Sequence, residues 1–173
     1  RCYYCKTELY AKLKCISKKL GIRNIINGTN FDDLNDYRPG LQAADEHGVI
    51  SPLKDSKLTK NDVRELARRL NLKIWDKPSA PCLSSRVPYG QGITLKKLRM
   101  VEEAEGFLRD FGIRELRVRH FGKIARIEVK EEDKAIVDQN LKLINKKFSR
   151  IGFNEITISN FKSGNLNIIL QNA

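Results

Sequence analysis

The chain has 173 residues, with 33 Lys and Arg against 21 Asp and Glu, and its formal net charge is +12. At 40% hydrophobic and 31% charged it is too apolar to be disordered throughout, and it is long enough for one domain or two small ones with a real core. No apolar run approaches the roughly 18 residues of a membrane span. The opening Arg1-Cys2-Tyr3-Tyr4-Cys5-Lys6 has neither an initiator Met nor the apolar stretch of a signal peptide, so a chain beginning within a longer cytoplasmic protein is expected.

The elements follow in order. Leu9, Leu13, Ile16 and Leu20 recur at helical spacing over 6–20, and Gly21 stops the helix. Ile22–Ile26 reads as a short buried strand entering the polar loop Asn27-Gly28-Thr29-Asn30, and Val49–Leu53 as another extended piece. Thr59 with Asp62 makes a capping box, stapled by Leu58 and Val63, before a helix expected to bury Val63, Leu66, Ala67 and Leu70. Two strands do not finish a sheet, so the fold class over 1–75 is α/β, the back end of a larger domain.

Residues 76–92 hold three of the five prolines and read as a functional linker loop. Over 93–173 a small α+β domain is expected. Thr94 caps a helix with Leu98, Val101, Ala104, Leu108 and Phe111 on its apolar side. Strands Leu116–His120 and Ile124–Val129 form a hairpin around Gly122. Asp133 caps a helix with Ile136, Val137, Leu141, Ile144 and Phe148, and strands Glu155–Ser159 and Asn165–Leu170 close the unit.

Alternation gives this second domain a chemical face. With Leu116 and Val118 inward, Arg117 and Arg119 point the other way, joined by Arg126 and Glu128 of the next strand. Three guanidiniums on one open face suit a phosphate. The same residues also suit an exposed strand pair bridged to Glu128 and Glu115. A pI near 9.7 is compatible with a polyanionic partner, and equally with a solvated lysine surface at Lys18-Lys19, Lys96-Lys97 and Lys146-Lys147.

The cysteines stand at 2, 5, 15 and 82, too sparse for a disulfide-stapled secreted domain. Cys2-x-x-Cys5 points to a metal or redox site. Zinc would need four ligands, for which Cys15, Cys82, His47 and His120 are available. Cys15, between apolar helix neighbours, reads as a core residue. Cys82 sits among prolines and serines near Arg86, where a thiolate would be accessible and favoured by positive charge. Three cysteines without a fourth also suit an iron–sulfur cluster with one iron open. Asn27–Asp36 follows a strand, where α/β sheets gather ligands. Its glycine and carboxylates suit a nucleotide with Mg²⁺, or simply an Asx-rich turn.

These segments appear together with Asp-Tyr-Arg-Pro-Gly (36–40), Ser-Pro-Leu (51–53), Leu-Thr-Lys (58–60), Trp-Asp-Lys-Pro (75–78), Cys-Leu-Ser-Ser-Arg-Val-Pro-Tyr-Gly (82–90), Leu-Arg-Val-Arg-His (116–120) and Ala-Arg-Ile-Glu (125–128). In this order they closely resemble the LarE-like ATP-dependent sulfur transferases of the PP-loop ATP pyrophosphatase superfamily. The resemblance implies an incomplete Rossmann-like PP-loop ATPase domain followed by a small α+β domain for substrate binding and oligomerisation. It implies ATP and Mg²⁺ as cofactors, a nucleotide-like substrate (pyridinium-3,5-biscarboxylic acid mononucleotide), sulfide or another sulfur donor, and a homo-oligomer. The product belongs to nickel-pincer nucleotide synthesis.

In one branch of that family a single cysteine, matching Cys82, gives up its own sulfur. In another, three cysteines hold a [4Fe-4S] cluster. Cys2, Cys5 and Cys82 match the second pattern. By the same resemblance Gly28, Asn30 and Asp33 contact nucleotide, and Arg117 and Arg119, with Arg126 beside them, receive the substrate phosphate. Glu105 falls where the family has an acidic residue near its active surface. The family's Ser-Gly-Gly-x-Asp-Ser pyrophosphate loop does not occur in the 173 residues, so a fragment is expected that hydrolyses ATP poorly by itself. The rival readings are a tRNA-thiolating PP-loop enzyme and a zinc-stabilised module, the only ones with a nucleic-acid partner.

Overall fold

A computed structural model describes residues 1–161, which fall into two compact units, Arg1–Lys77 and a second beginning at Pro78. The expected strand at Asn165–Leu170 lies outside the described residues. Among those described, no helix is long and apolar enough to cross a membrane.

The first unit is mainly helical. Helix α1 (Cys2–Lys19) begins four residues before the hydrophobic period and takes in the Cys-x-x-Cys pair. It packs on α2 (Pro39–Glu46), whose proline at the first position presets the helical φ. Between them lies a small core of Tyr10, Ala43, Ala44 and Val49, with Tyr3, Leu13 and Ile25 half-buried against it. Two short helices follow, α3 (Pro52–Asp55) and α4 (Lys60–Arg69), the latter opened by the Thr59–Asp62 capping box. The expected strand at 22–26 is reduced to one parallel bridge, Ile26 to Ile50, and Ile22 and Ile26 are exposed. Helix α4 departs in the same direction: Leu66 and Leu70 are exposed and only Val63 and Ala67 are half-buried. Apolar periodicity says which face a helix offers for burial, and within this unit nothing covers that face.

The second unit has a fuller core. Helix α5 (Leu95–Arg109), capped by the Thr94 hydroxyl, lies on a three-stranded sheet of β1 (Leu116–Phe121), β2 (Ile124–Val129) and β3 (Glu155–Asn160). Strands β1 and β2 are antiparallel across the Gly122-Lys123 turn, where Gly122 takes φ 65°. Strand β3 runs parallel to β2, which requires the crossover through α6 (Lys134–Gln139) and α7 (Leu141–Ile151). The single helix expected after Asp133 is thus two. A 3₁₀ turn occupies Glu131–Asp133, and the break between α6 and α7 is sealed by the Asn140 side-chain amide donating to the Ile136 carbonyl at 2.8 Å. Leu116, Val118, Ala125, Ile127 and Val129 meet Ala104, Leu108, Val137, Ile144, Phe148 and Phe153 in one cluster. The alternation read from the sequence therefore places the apolar side of β1 and β2 as expected.

Candidate functional site

In the first unit, Cys2 and Cys5 stand three residues apart in the opening turn of α1, and both thiols are exposed. That spacing puts them on one helix face. Their backbone is held by the start of α2: a Cβ on Gly40 would lie 3.2 Å from Lys6 Cγ and 3.9 Å from Cys2 Cβ, so glycine is what lets α2 approach here. Tyr3, on the same turn, donates its phenol to Glu46 Oε2 at 2.6 Å. The acceptor carboxylate raises the Tyr3 pKa and is itself lowered. Cys15 is exposed, not buried as expected from the sequence.

The polar loop lies beside the Ile26–Ile50 bridge. Asn27 Oδ1 accepts from the Thr29 amide at 3.0 Å and from Ser51 Oγ at 2.9 Å, an Asx turn tied to the segment after Ile50. Asp33 Oδ2 accepts from the Asn30 amide at 3.1 Å, and its Oδ1 faces Arg38 Nη2 at 3.0 Å. Asp32 Oδ2 takes the Lys60 amide at 2.8 Å, at the start of α4. The carboxylates are thus engaged by the protein's own donors. Asn30 Oδ1 is buried without a hydrogen-bond partner. Gly28 is exposed, and a Cβ there would meet nothing within 4 Å, so packing does not demand glycine at this position.

In the second unit Cys82 is exposed at the head of a 3₁₀ turn, Leu83–Arg86, while Arg86 is only 4% exposed. Arg86 does not leave its charge for the thiol. Its Nε and Nη2 meet Glu105 Oε1 and Oε2 at 2.7 and 3.2 Å, and its Nη1 donates to the Pro81 carbonyl at 2.9 Å and the Cys82 carbonyl at 3.4 Å. The same nitrogen lies 2.9 Å from Ser85 Oγ. Glu105 is fully buried and also accepts from the Val118 amide at 3.1 Å and from Arg109 Nη2 at 2.9 Å. Its place in the fold is that of a hub between α5, β1 and the Cys82 turn. The sequence carried a signal for this: Glu105 falls on the apolar face of α5 with Val101, Ala104 and Leu108, where a carboxylate needs a buried cation.

The arginine face differs from expectation. Arg117 and Arg119 lie on the side of the sheet away from the helices, yet both are buried, and the face is not open over them. Arg119 Nη1 donates to the Ser85 carbonyl at 2.8 Å and Nη2 pairs with buried Glu128 at 2.9 Å, so the Cys82 turn itself covers part of this side. Arg117 stacks on the Phe161 ring at 4.6 Å. Burial, followed by the charges of Arg119 and Arg86, lowers its pKa from the usual arginine value. Arg126 stands directly opposite Arg119 in the β1–β2 register but is exposed and stacks on Phe121. Glu115 pairs with Lys130 at the sheet's edge. His120, on the helix side against Phe153, is buried with Nδ1 unpartnered, and desolvation lowers its pKa. Among the described residues, no group of three or more His, Cys, Asp or Glu is gathered to hold a metal ion.

Comparison with protein-family profiles finds no match. Individual relatives do match along nearly the whole chain. An uncharacterized protein of Synechocystis sp. is 44% identical over 98% of the chain and 65% of its own length. An uncharacterized protein of Methanocaldococcus jannaschii is 35% identical over 92% of the chain and 62% of its own length. The pyridinium-3,5-bisthiocarboxylic acid mononucleotide synthase of Lactiplantibacillus plantarum is 36% identical over 99% of the chain and 63% of its own length. The chain therefore spans a little under two thirds of the curated relatives it matches.

Proposed function

We propose that this chain is part of an ATP-dependent sulfur transferase that converts the carboxylates of pyridinium-3,5-biscarboxylic acid mononucleotide to thiocarboxylates, in the synthesis of a nickel-pincer nucleotide cofactor. The observation that carries the reading is the 36% identity, over 99% of the chain, to the synthase of L. plantarum. It is supported by an exposed cysteine on a turn that is fixed to an arginine-bearing strand.

In this reading a carboxylate oxygen of the substrate attacks the α-phosphorus of ATP and pyrophosphate leaves. The resulting acyl adenylate is attacked at its carbonyl carbon by a sulfur nucleophile, and AMP departs with the original oxygen. Activation is needed because a carboxylate carbon is a poor electrophile and oxide a poor leaving group. Gly28, Asn30 and Asp33 receive the nucleotide, the exposed glycine letting its phosphates come close to the backbone; Mg²⁺ enters with those phosphates. Arg117 and Arg119 bear the substrate phosphate. Arg117 suits that role because its buried cation, beside two others, is stabilised by an incoming anion. Arg126 extends the positive charge towards solvent.

Exposed cysteine thiols are the ligand type an iron–sulfur cluster takes, and Cys2 and Cys5 share one helical turn. Cys2, Cys5 and Cys82 would hold a [4Fe-4S] cluster, which supplies an open iron site carrying the transferable sulfide. Cys82 is the cysteine nearest in sequence to the arginine strand, and it presents sulfur to the activated carbonyl. Glu105 acts from behind, through Arg86. The test is to incubate the full-length protein with ATP, Mg²⁺, sulfide and the pyridinium dicarboxylate mononucleotide, following AMP, pyrophosphate and product mass. AMP with a product in which sulfur has replaced oxygen is expected. AMP formed only with a tRNA acceptor would transfer the reading to tRNA thiolation.

A further inference from the structure

We propose that Arg86, fixed by Glu105, is a positioning residue that sets where the Cys82 sulfur stands relative to the arginine strand. The inference rests on the sulfur-transfer reading for its purpose and on the second unit's own geometry for its content.

Arg86 is 4% exposed and Glu105 is fully buried, and they meet through two parallel hydrogen bonds of 2.7 and 3.2 Å. A pair so buried is a poor source of net stability, because desolvating both charges offsets most of their attraction. Its geometric consequence is larger. Holding Nε and Nη2 fixes the whole guanidinium plane, and Nη1 then reaches the carbonyls of Pro81 and Cys82. The Cys82 carbonyl also accepts the Ser85 amide at 3.0 Å, closing the turn on which the thiol stands. From the strand side, Arg119 takes the Ser85 carbonyl while Glu105 takes the Val118 amide. The peptide of Cys82 is therefore tied at both ends to the strand that carries Arg117 and Arg119. A lysine at position 86 would keep the charge opposite Glu105 but has no planar fork to reach the carbonyls at the same time.

The experiment is amide hydrogen exchange of the peptide covering 81–87, together with maleimide labelling of Cys82, on the full-length protein before any cluster is assembled and without ATP or substrate. Variants are Arg86→Lys and the charge-free pair Arg86→Met with Glu105→Gln, in which the glutamine oxygen still accepts from Val118. Exchange at the Ser85 amide is expected to rise about tenfold or more in both, consistent with losing a charge-assisted hydrogen bond, while β2 amides stay within about twofold. The kcat should fall with the KM for the mononucleotide unchanged, and Cys82 labelling should accelerate. Turn exchange and labelling within about twofold of wild type in either folded variant would overturn the clamp. If Arg86→Lys does not fold, the uncharged pair decides. Because exchange and labelling need no turnover, they stand apart from the sulfur-transfer reading, which fails separately if Cys82→Ser retains product formation.

Discussion

The two units hold their cysteines by different means. Among the described residues the second unit gathers thirteen apolar residues into one buried cluster, whereas the first gathers four. In the second unit the sheet with its substantial core also carries ion pairs with almost no water contact, Arg86–Glu105 beside the core and Arg119–Glu128 on the opposite face, and these fix the Cys82 turn from two directions. In the first, Cys2 and Cys5 rest on one helix turn steadied by close approach at Gly40 and an exposed Tyr3–Glu46 bond, while Ile22, Ile26 and Leu70 remain in solvent. A buried charge network keeps its geometry only where the surrounding packing excludes water and leaves no alternative partner. The unit with the surplus of core is the one that carries such a network.

The largest effect that would sharpen this contrast is chemical. Cys82→Ser should abolish thiocarboxylate formation while Cys15→Ser leaves it unchanged, as measured by product mass; activity in the first variant would remove Cys82 from the reaction. Packing comes next. Ile127→Ala should destabilise the second unit by about 2–5 kcal/mol, because it empties a filled site in the core. Leu66→Ala, at a residue 42% exposed, should stay within about 1 kcal/mol. Denaturant unfolding followed by hydrogen exchange separates the two, and equal losses would break the comparison.

The pH dependence is smaller. His120 has a folded pKa below its ordinary value of about 6.5, so the unfolded chain takes up the proton first. The second unit should therefore lose stability as the pH falls below that value, and His120→Gln should flatten the dependence of Tm on pH over that range. The smallest effects are a matched pair of helix caps. Thr59→Ala and Thr94→Ala should each cost about 0.5–2 kcal/mol, read as faster exchange in α4 and α5. Thr59 should be the larger of the two, because its hydroxyl also donates to Asp62 Oδ2 at 2.6 Å, a second bond that the alanine removes.

What the sequence made legible follows from the same contrast. Strand alternation at Leu116–Val129 and the period of α5 and α7 identify the core side because those faces are in fact covered. The strand expected at 22–26 and the buried side of α4 fail where apolar residues have no partner within their unit. The start of α1 is missed because the period of Leu9, Leu13, Ile16 and Leu20 follows a mostly exposed face, whereas the face that packs runs through Tyr3 and Tyr10. Alternation also placed Arg117 and Arg119 on the correct side, but not their burial. That depends on a turn thirty-four residues upstream of Arg119 laying the Ser85 carbonyl against it, a contact no local pattern encodes. Glu105 was found by resemblance, and its engagement with Arg86 by the structure.

The sulfur-carrying role proposed for Cys82 with Cys2 and Cys5 is read out most directly by anaerobic iron, sulfide and zinc analysis with a visible spectrum. The full-length protein should contain about four irons per chain with broad visible absorbance, and Cys82→Ser should lose or destabilise both. Stoichiometric zinc with no iron, or a cluster indifferent to Cys82, would contradict the account.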